Sequence, residues 1–449
     1  MFQKRSTVAL GSENVWKLLI QYAIPSVIAM TASSLYNIID SIFIGQGVGA
    51  LAISGLAITF PLMNLGAAFG SLVGVGASTL MSLRLGQKDY SSANNILGNV
   101  FVLNLILGAA YSLVVLLFLD PILYFFGASA DTLPYAKEYM VVILLGNVIT
   151  HLYFGLNAML RATGNPTKSM LSTIFSVVIN IVLAPIFIYK FGWGIQGAAI
   201  ATIIAQLSML LWQIKLFSNK ENFIHLQKGI FTLKKKIVLD SLSIGIAPFL
   251  MNAVSCVIVI IINKSLVTHG GDLDVGAYGI VNRVAFLFVM VVMGLNQGMQ
   301  PIAGYNYGAN QIERVNKVLK YTILLATGVM ILAFAVSQLI PHAVASVFTK
   351  DDTLINLAVP GLKIVFLCYP IVGFQMVTGN FFQSIGSAKK AIFMSLSRQL
   401  LFLLPGLLIL PHFYDVKGVW LSFPVADSLS SIIAFFMLMN HYQKTKIKK

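Results

Sequence analysis

Four polar residues, Ser33, Tyr36, Asn37 and Asp40, fall at i, i+3, i+4 and i+7 in the stretch SSLYNIIDSIFIGQ, residues 33–46. That spacing sets them on one face of a helix. The chemistry open to such a face turns on Asp40, an acid inside an apolar run that begins near Trp16. A charged carboxylate in hydrocarbon costs on the order of 3 kcal/mol on insertion scales, so such acids face a cavity and handle protons or ions. Removal from water favours the neutral form of a carboxyl group. One acid among amides and hydroxyls therefore suits a proton. A hard metal cation asks for several oxygens together. Neutral, Asp40 can turn to Asn37 or Asn180; ionised, it favours water or an organic cation.

Three further polar stripes interrupt later apolar runs. Thr173, Ser176 and Asn180 share one helical face, Thr202 and Gln206 another, and Asn147 and His151 a third. Small polar residues of this kind also serve as glue between helices. The C-terminal half is polar in a different way, through Asn252, Asn263, Arg283, Gln297, Gln300, Gln375, Gln383, Arg398 and Asp427. Arg398 and Asp427 are opposite charges on neighbouring runs and read as a self-neutralising anchor.

The elements that position these residues are membrane spans. The 449 residues are 57% hydrophobic and 10% charged, where a soluble domain carries roughly 25% charged residues. Twelve apolar runs are long enough to cross a bilayer as helices. The net charge of +15 would suggest nucleic acid in a soluble chain. Here most basic residues lie in alternate short loops, such as Arg84 with Lys88, Arg161 with Lys168, and the run Lys234, Lys235 and Lys236. They report topology and place both termini in the cytoplasm, with no nucleic-acid partner expected. Cys256 and Cys368 sit in apolar runs and the six histidines are scattered, so neither a metal centre nor an enzyme's catalytic cluster is expected.

The halves repeat. GNPTKSM at 164–170 lies over GSAKKAI at 386–392, and GVGASTLMSLRLGQKDYSSANN at 74–95 over NQGMQPIAGYNYGANQIERVNK at 296–317, both at an offset of 222. The expected fold is all-α and integral to the membrane: twelve transmembrane helices in two six-helix lobes related by a pseudo-two-fold along the membrane normal. Residues 1–216 form one lobe, 217–236 a basic cytoplasmic linker and 237–449 the second lobe. In the first helix of each half AIPSVI near Pro25 matches IAPFLM near Pro248 at 223, and at that offset Asn263 reads as the repeat counterpart of Asp40.

IPSVIAMTASSLYNIIDSIFIG, VGVGASTLMSLRLGQKD, RATGNPTKSM, NIVLAPIFIY and GIQGAAIATIIAQ together resemble the multidrug and toxic compound extrusion (MATE) transporters, most nearly their DinF-like branch, over essentially the whole chain. The resemblance implies an inner-membrane antiporter that exports amphipathic, often cationic compounds by alternating access, driven by a proton or sodium gradient and needing no cofactor. Its partners would be small-molecule substrates and membrane lipid, and the chain would act as a monomer. The resemblance places Asp40 where the branch has its first-helix acid, and Asn180 and Thr202 on positions tied to its cation site. Asp40, Asn37, Asn180 and Thr202 are then the coupling group, with Ser33, Tyr36, Ser176, Asn147, His151 and Gln206 lining the substrate cavity. One position departs from the branch. Where its fifth helix carries an Asp, this chain has Ala184, the next step of the stripe through Thr173, Ser176 and Asn180. The missing oxygen ligand favours protons over sodium. The alternative reading is a flippase for lipid-linked sugars, which would need a more cationic cleft than Arg283, Arg398 and Lys363 supply.

Overall fold

The computed structural model describes residues 8–447; the side chains of Asn37, Ile38, Ala50, Asp272 and residues 445–447 lie outside what is described. The chain is all-helical, with twelve helices long and apolar enough to span a membrane: α1 Val15–Gly47, α2 Leu51–Gly86, α3 Tyr90–Leu117, α4 Leu133–Ala162, α5 Pro166–Lys190, α6 Gly194–Phe217, α7 Lys235–His269, α8 Leu273–Gly308, α9 Ile312–Leu339, α10 Asp352–Ser384, α11 Ala388–Ile409 and α12 Pro411–Lys444. Helices satisfy the backbone without water, which is why an apolar chain of this length folds into them. Asn14 starts α1 by accepting hydrogen bonds from the backbone N–H groups of Trp16 and Lys17. Pro185, late in α5, cannot donate a backbone hydrogen bond, and the helix loosens to a π-helical turn over Ile186–Lys190.

The repeat is visible in the bounds of the elements. Adding 222 to the bounds of α2 and α3 gives those of α8 and α9. A short helix after α3, Leu119–Phe125, has its counterpart in Pro341–Ser346 after α9. The left-handed turn residues recur as well: Lys88 with Asn310, and Gly164 with Gly386. At this offset the counterpart of Asp40 is the buried Ile262, and not Asn263 as the local letter match suggested. The acid of α1 thus has an apolar mate in α7.

The halves meet near the face that carries the basic loops. There Gly76 of α2 lies against Ser241 and Gly245 of α7, and Gly298 of α8 against Tyr22 and Ala23 of α1. A Cβ on Gly76 or Gly245 would collide with backbone across the crossing, so only glycine lets the helices approach this closely. Between α2 and α8, Gln300 donates to Ser78 Oγ at 3.1 Å and to Thr79 Oγ1 at 2.7 Å, and Ser82 faces Gly304. Ser78 with Gln300, and Ser82 with Gly304, are each a residue and its own counterpart at 222, the pattern a two-fold axis between α2 and α8 produces. Nearer the surface, Asn306 and Arg314 both donate to the carbonyl of Leu10, closing the same side. The segment between α6 and α7 lies on α3. Asn94 and Asn99 bond to its backbone at Phe223, His225, Thr232 and Lys234.

The apolar interior is divided unevenly. One core runs through the whole C-terminal half and into the basic-face ends of α1 to α4 and α6. A second, separate core fills the opposite end of the N-terminal half, from Ile44 and Leu62 through Tyr139 and Leu144 to Ala184 and Ala199. Between them lies a layer of polar residues and glycines.

The glycine crossing yields a first prediction. Gly245→Val should hold α2 and α7 apart. In a background with Cys256→Ala and Cys368→Ala, a short thiol cross-linker should join Ser78→Cys to Gln300→Cys readily. Adding Gly245→Val should lower that yield several-fold, and an unchanged yield would contradict the packing described.

Candidate functional site

The polar layer of the N-terminal half is organised around Thr202 on α6. Its hydroxyl donates to the Ala198 carbonyl one turn back, at 3.1 Å. Asn180 on α5 donates to the same oxygen at 2.9 Å. With the Thr202 proton committed to Ala198, the Tyr36 hydroxyl on α1 is the donor in the 2.7 Å contact between Tyr36 and Thr202. One hydroxyl therefore ties α1, α5 and α6 together.

Asp40 stands one turn beyond Tyr36 on α1, 5% exposed. Its Oδ1 has no hydrogen-bond partner among the described residues. Tyr36 and Tyr139 both lie within electrostatic reach of its carboxyl group. A buried carboxylate with an unspent oxygen is costly as an anion unless a proton, a water molecule or a cation occupies that oxygen. Ala184, fully buried, sits in the apolar core with Ile44, Ala198 and Ala199 and adds no oxygen.

The arrangement occurs in a recognisable setting. The family model described as MatE matches residues 25–186 and again residues 243–408. The chain belongs to the MatE family. Both matched segments end at equivalent points, Ile186 and Leu408, one in each half. The solved structure of the MATE multidrug transporter DinF-BH, in complex with a small molecule, is similar over 96% of each chain at 36% identity and a TM-score of 0.89. The outward-facing conformation of a multidrug resistance MATE family transporter of the MOP superfamily is similar over 98% of each chain, at 25% identity and a TM-score of 0.92. The multidrug export protein MepA of Staphylococcus haemolyticus (strain JCSC1435) is 27% identical over 436 residues, 97% of this chain and 96% of that protein. The chain is accordingly a membrane transporter and not an enzyme, as its motifs led us to expect.

The other residues singled out in the sequence divide into two groups. Ser176 is buried one turn from Asn180 on α5, and Ser33 is half-buried on the Asp40 face of α1. Gln206 is half-buried on α6 and accepts a hydrogen bond from Thr150 on α4. Asn147 and His151 turn the other way. Asn147 donates to the Gly108 carbonyl of α3 at 3.2 Å, and the His151 ring, fully enclosed, packs beside Gly70 of α2 and Gly108. Both therefore pack within the α2–α3–α4 bundle. Thr173, the first residue of its stripe, accepts from Asn157 and donates to the Ser169 carbonyl. It joins a cluster in which Arg161 bonds to Asn157 Oδ1 at 2.7 Å and to Ser169 Oγ at 3.0 Å. The Asn37 side chain lies outside the described residues. Sequence reasoning overlooked Tyr139.

Thr202→Val removes the shared acceptor and strands both the Tyr36 hydroxyl and the Asn180 amide, at about 1–3 kcal/mol for each buried group left unpaired. Tyr36→Phe removes one donor and leaves Thr202 bonded to Asn180 and Ala198, at about 1 kcal/mol. Thermal unfolding in detergent should therefore rank Thr202→Val well below Tyr36→Phe. Equal or reversed stabilities would show that Thr202 is not the hub.

Proposed function

We propose that this transporter exports amphipathic, mostly cationic compounds in exchange for protons, with Asp40 as the group that proton and substrate share. The observation that carries the reading is the buried Asp40 carboxyl with its unpartnered oxygen, beside Tyr36 and Tyr139. Neutral, the carboxyl is at home in this layer. Ionised, it calls for a cation or for water. An arrangement that opens to one side and then the other would bind the proton in one state and release it to substrate in the other, and that differential affinity is what coupling requires. Asn180, Thr202 and Tyr36 hold α1, α5 and α6 in register around the acid, and Ser33, Ser176 and Gln206 supply polar contacts beside it. The multidrug export of MepA and the small-molecule complex of the multidrug transporter DinF-BH support the substrate class.

Protons are favoured over sodium because Ala184 leaves the site with one carboxylate. The division into lobes 1–216 and 237–449, joined by residues 217–236, rests on the offset of 222. The pseudo-two-fold would run along the membrane normal, in the plasma (inner) membrane, with the basic face and both termini cytoplasmic. In that orientation the contacts at Gly76, Gly245 and Gly298 close the cytoplasmic side. The separate core at the other end of the N-terminal half suits a cleft opening outward, as does the similarity to an outward-facing relative. A monomer suffices, since each chain carries both halves.

Proteoliposomes with separately imposed gradients test this. A proton gradient should drive export of a fluorescent cation, and a sodium gradient should add little. Asp40→Asn keeps the shape but cannot change charge, so its gradient-driven export should fall to background at equal expression. Asp40→Glu should keep part of the activity with a displaced pH profile. Ala184→Asp should introduce sodium sensitivity. Export by Asp40→Asn at the parent rate, or strong sodium dependence of the parent, would sink the proposal.

A further inference from the structure

The Arg398–Asp427 pair in the C-terminal half does not have the geometry of a closed anchor. A guanidinium and a carboxylate frequently meet through two parallel hydrogen bonds, which use the fork on both carboxylate oxygens. Here a single one is made, from Arg398 Nε to Asp427 Oδ1 at 2.6 Å. Asp427 is 1% exposed and its Oδ2 has no partner among the described residues. The Arg398 side chain is 31% exposed. Its Nη fork, with four N–H donors, is left over from the contact with Asp427.

That exposure is directed inward. Phe393 and Leu400 are exposed and mark the lipid side of α11. Arg398 stands four and seven residues after Met394 and Ala391, both fully buried, and so shares their side of the helix. A lipid-facing guanidinium at mid-span would be costly, so an exposed fork on this side looks into an internal space. It stands in the π-helical turn Ser397–Leu403, and such turns recur at functional sites. Gln399 fixes the turn by donating to Ser255 Oγ on α7 at 2.7 Å. Tyr278 on α8 and Tyr369 on α10, both buried, lie within electrostatic reach of Arg398. At the offset of 222, Arg398 is the counterpart of Ser176; in the last helix of each half the offset is 221, as the left-handed Gly194 and Asp415 show, and Asp427 is the counterpart of Gln206. The pair occupies in one half the level that the polar layer occupies in the other.

We infer that Arg398, held by Asp427, is a second binding site, one that takes the carboxylate of zwitterionic amphipathic substrates whose ammonium end goes to Asp40. The free fork matches a carboxylate bidentately. Asp427 keeps the guanidinium in place, and the pair is neutral overall when no anion is bound. Substrates without an anionic group would leave the pair undisturbed. The inference rests on the export reading above but adds a substrate class and a site to it.

The test uses the full-length protein in proteoliposomes and one rhodamine dye in two forms: the ethyl ester, a cation, and the free acid, a zwitterion. The readout is the ratio of acid to ester export within each preparation, which cancels differences in folded protein. Arg398→Gln with Asp427→Asn removes both charges together, so no buried charge is left uncompensated. Arg398→Lys keeps the charge but lacks the fork, and it serves if the double variant inserts poorly. The ratio should fall about tenfold in the double variant and several-fold in Arg398→Lys. An unchanged ratio, including a parallel loss of both dyes, would overturn the site and return the pair to a structural role. A parent that exports the ester but never the acid would overturn it as well. A parent that exports neither would refute the export reading itself, and this site with it.

Discussion

A carboxyl group buried between two apolar cores, with one oxygen unspent, is the constraint around which the N-terminal half is arranged. Asp40 would be expensive there as a bare anion. The surrounding layer answers that cost without removing it. Tyr36, Thr202 and Asn180 satisfy one another and lock three helices, but among the described residues no ion pair is made to fix the charge state of Asp40. A buried acid with a committed partner would be inert. One with an open oxygen responds to whatever reaches it, and that is what a coupling group requires.

The polar layer also explains the division of the core. Apolar packing is continuous through the C-terminal half, where Ile262 stands at the position of Asp40. In the N-terminal half it breaks between Leu144 and Leu152 on α4, and between Ala201 and Leu210 on α6. Residues such as Asn147, His151, Thr202 and Gln206 fill those breaks. The two halves thus share a backbone plan and differ in chemistry. The glycine crossings at Gly76, Gly245 and Gly298 belong to the shared plan, because each repeats at 222 with a small residue opposite. The acid, its tyrosines and the Arg398–Asp427 pair do not repeat. The backbone plan and the placement of charge are thus separable features of the two halves.

Much of this was legible in the residues. Hydropathy and length located all twelve spans, because a bilayer leaves the backbone few alternatives. Periodicity put Tyr36 and Asp40 on one face and drew attention to Asn180 and Thr202, which the structure joins. Orientation around each helix axis was less legible. Thr173 shares a stripe with Ser176 and Asn180 on a helical wheel, yet Asn157 and Ser169 draw it into the Arg161 cluster. Asn147 and His151 point at α2 and α3 because Gly70 and Gly108 leave room there, and a glycine on one helix is not visible from the pattern of another. The Asn263 assignment failed by one residue because it carried the offset of 223 between Pro25 and Pro248 along the whole helix, whereas α1 and α7 end 222 apart, at Gly47 and His269. The single-bonded geometry of Arg398 and Asp427 could not be read from two opposite charges.

The claim at the centre is that one carboxyl group serves proton and substrate in turn. Proton release on binding tests it most directly. Purified protein in weakly buffered detergent solution, below the pH at which Asp40 ionises, should release a proton for each organic cation it binds, and Asp40→Asn should bind without releasing one. Binding with no proton release by the parent, or undiminished release by Asp40→Asn, would contradict the account.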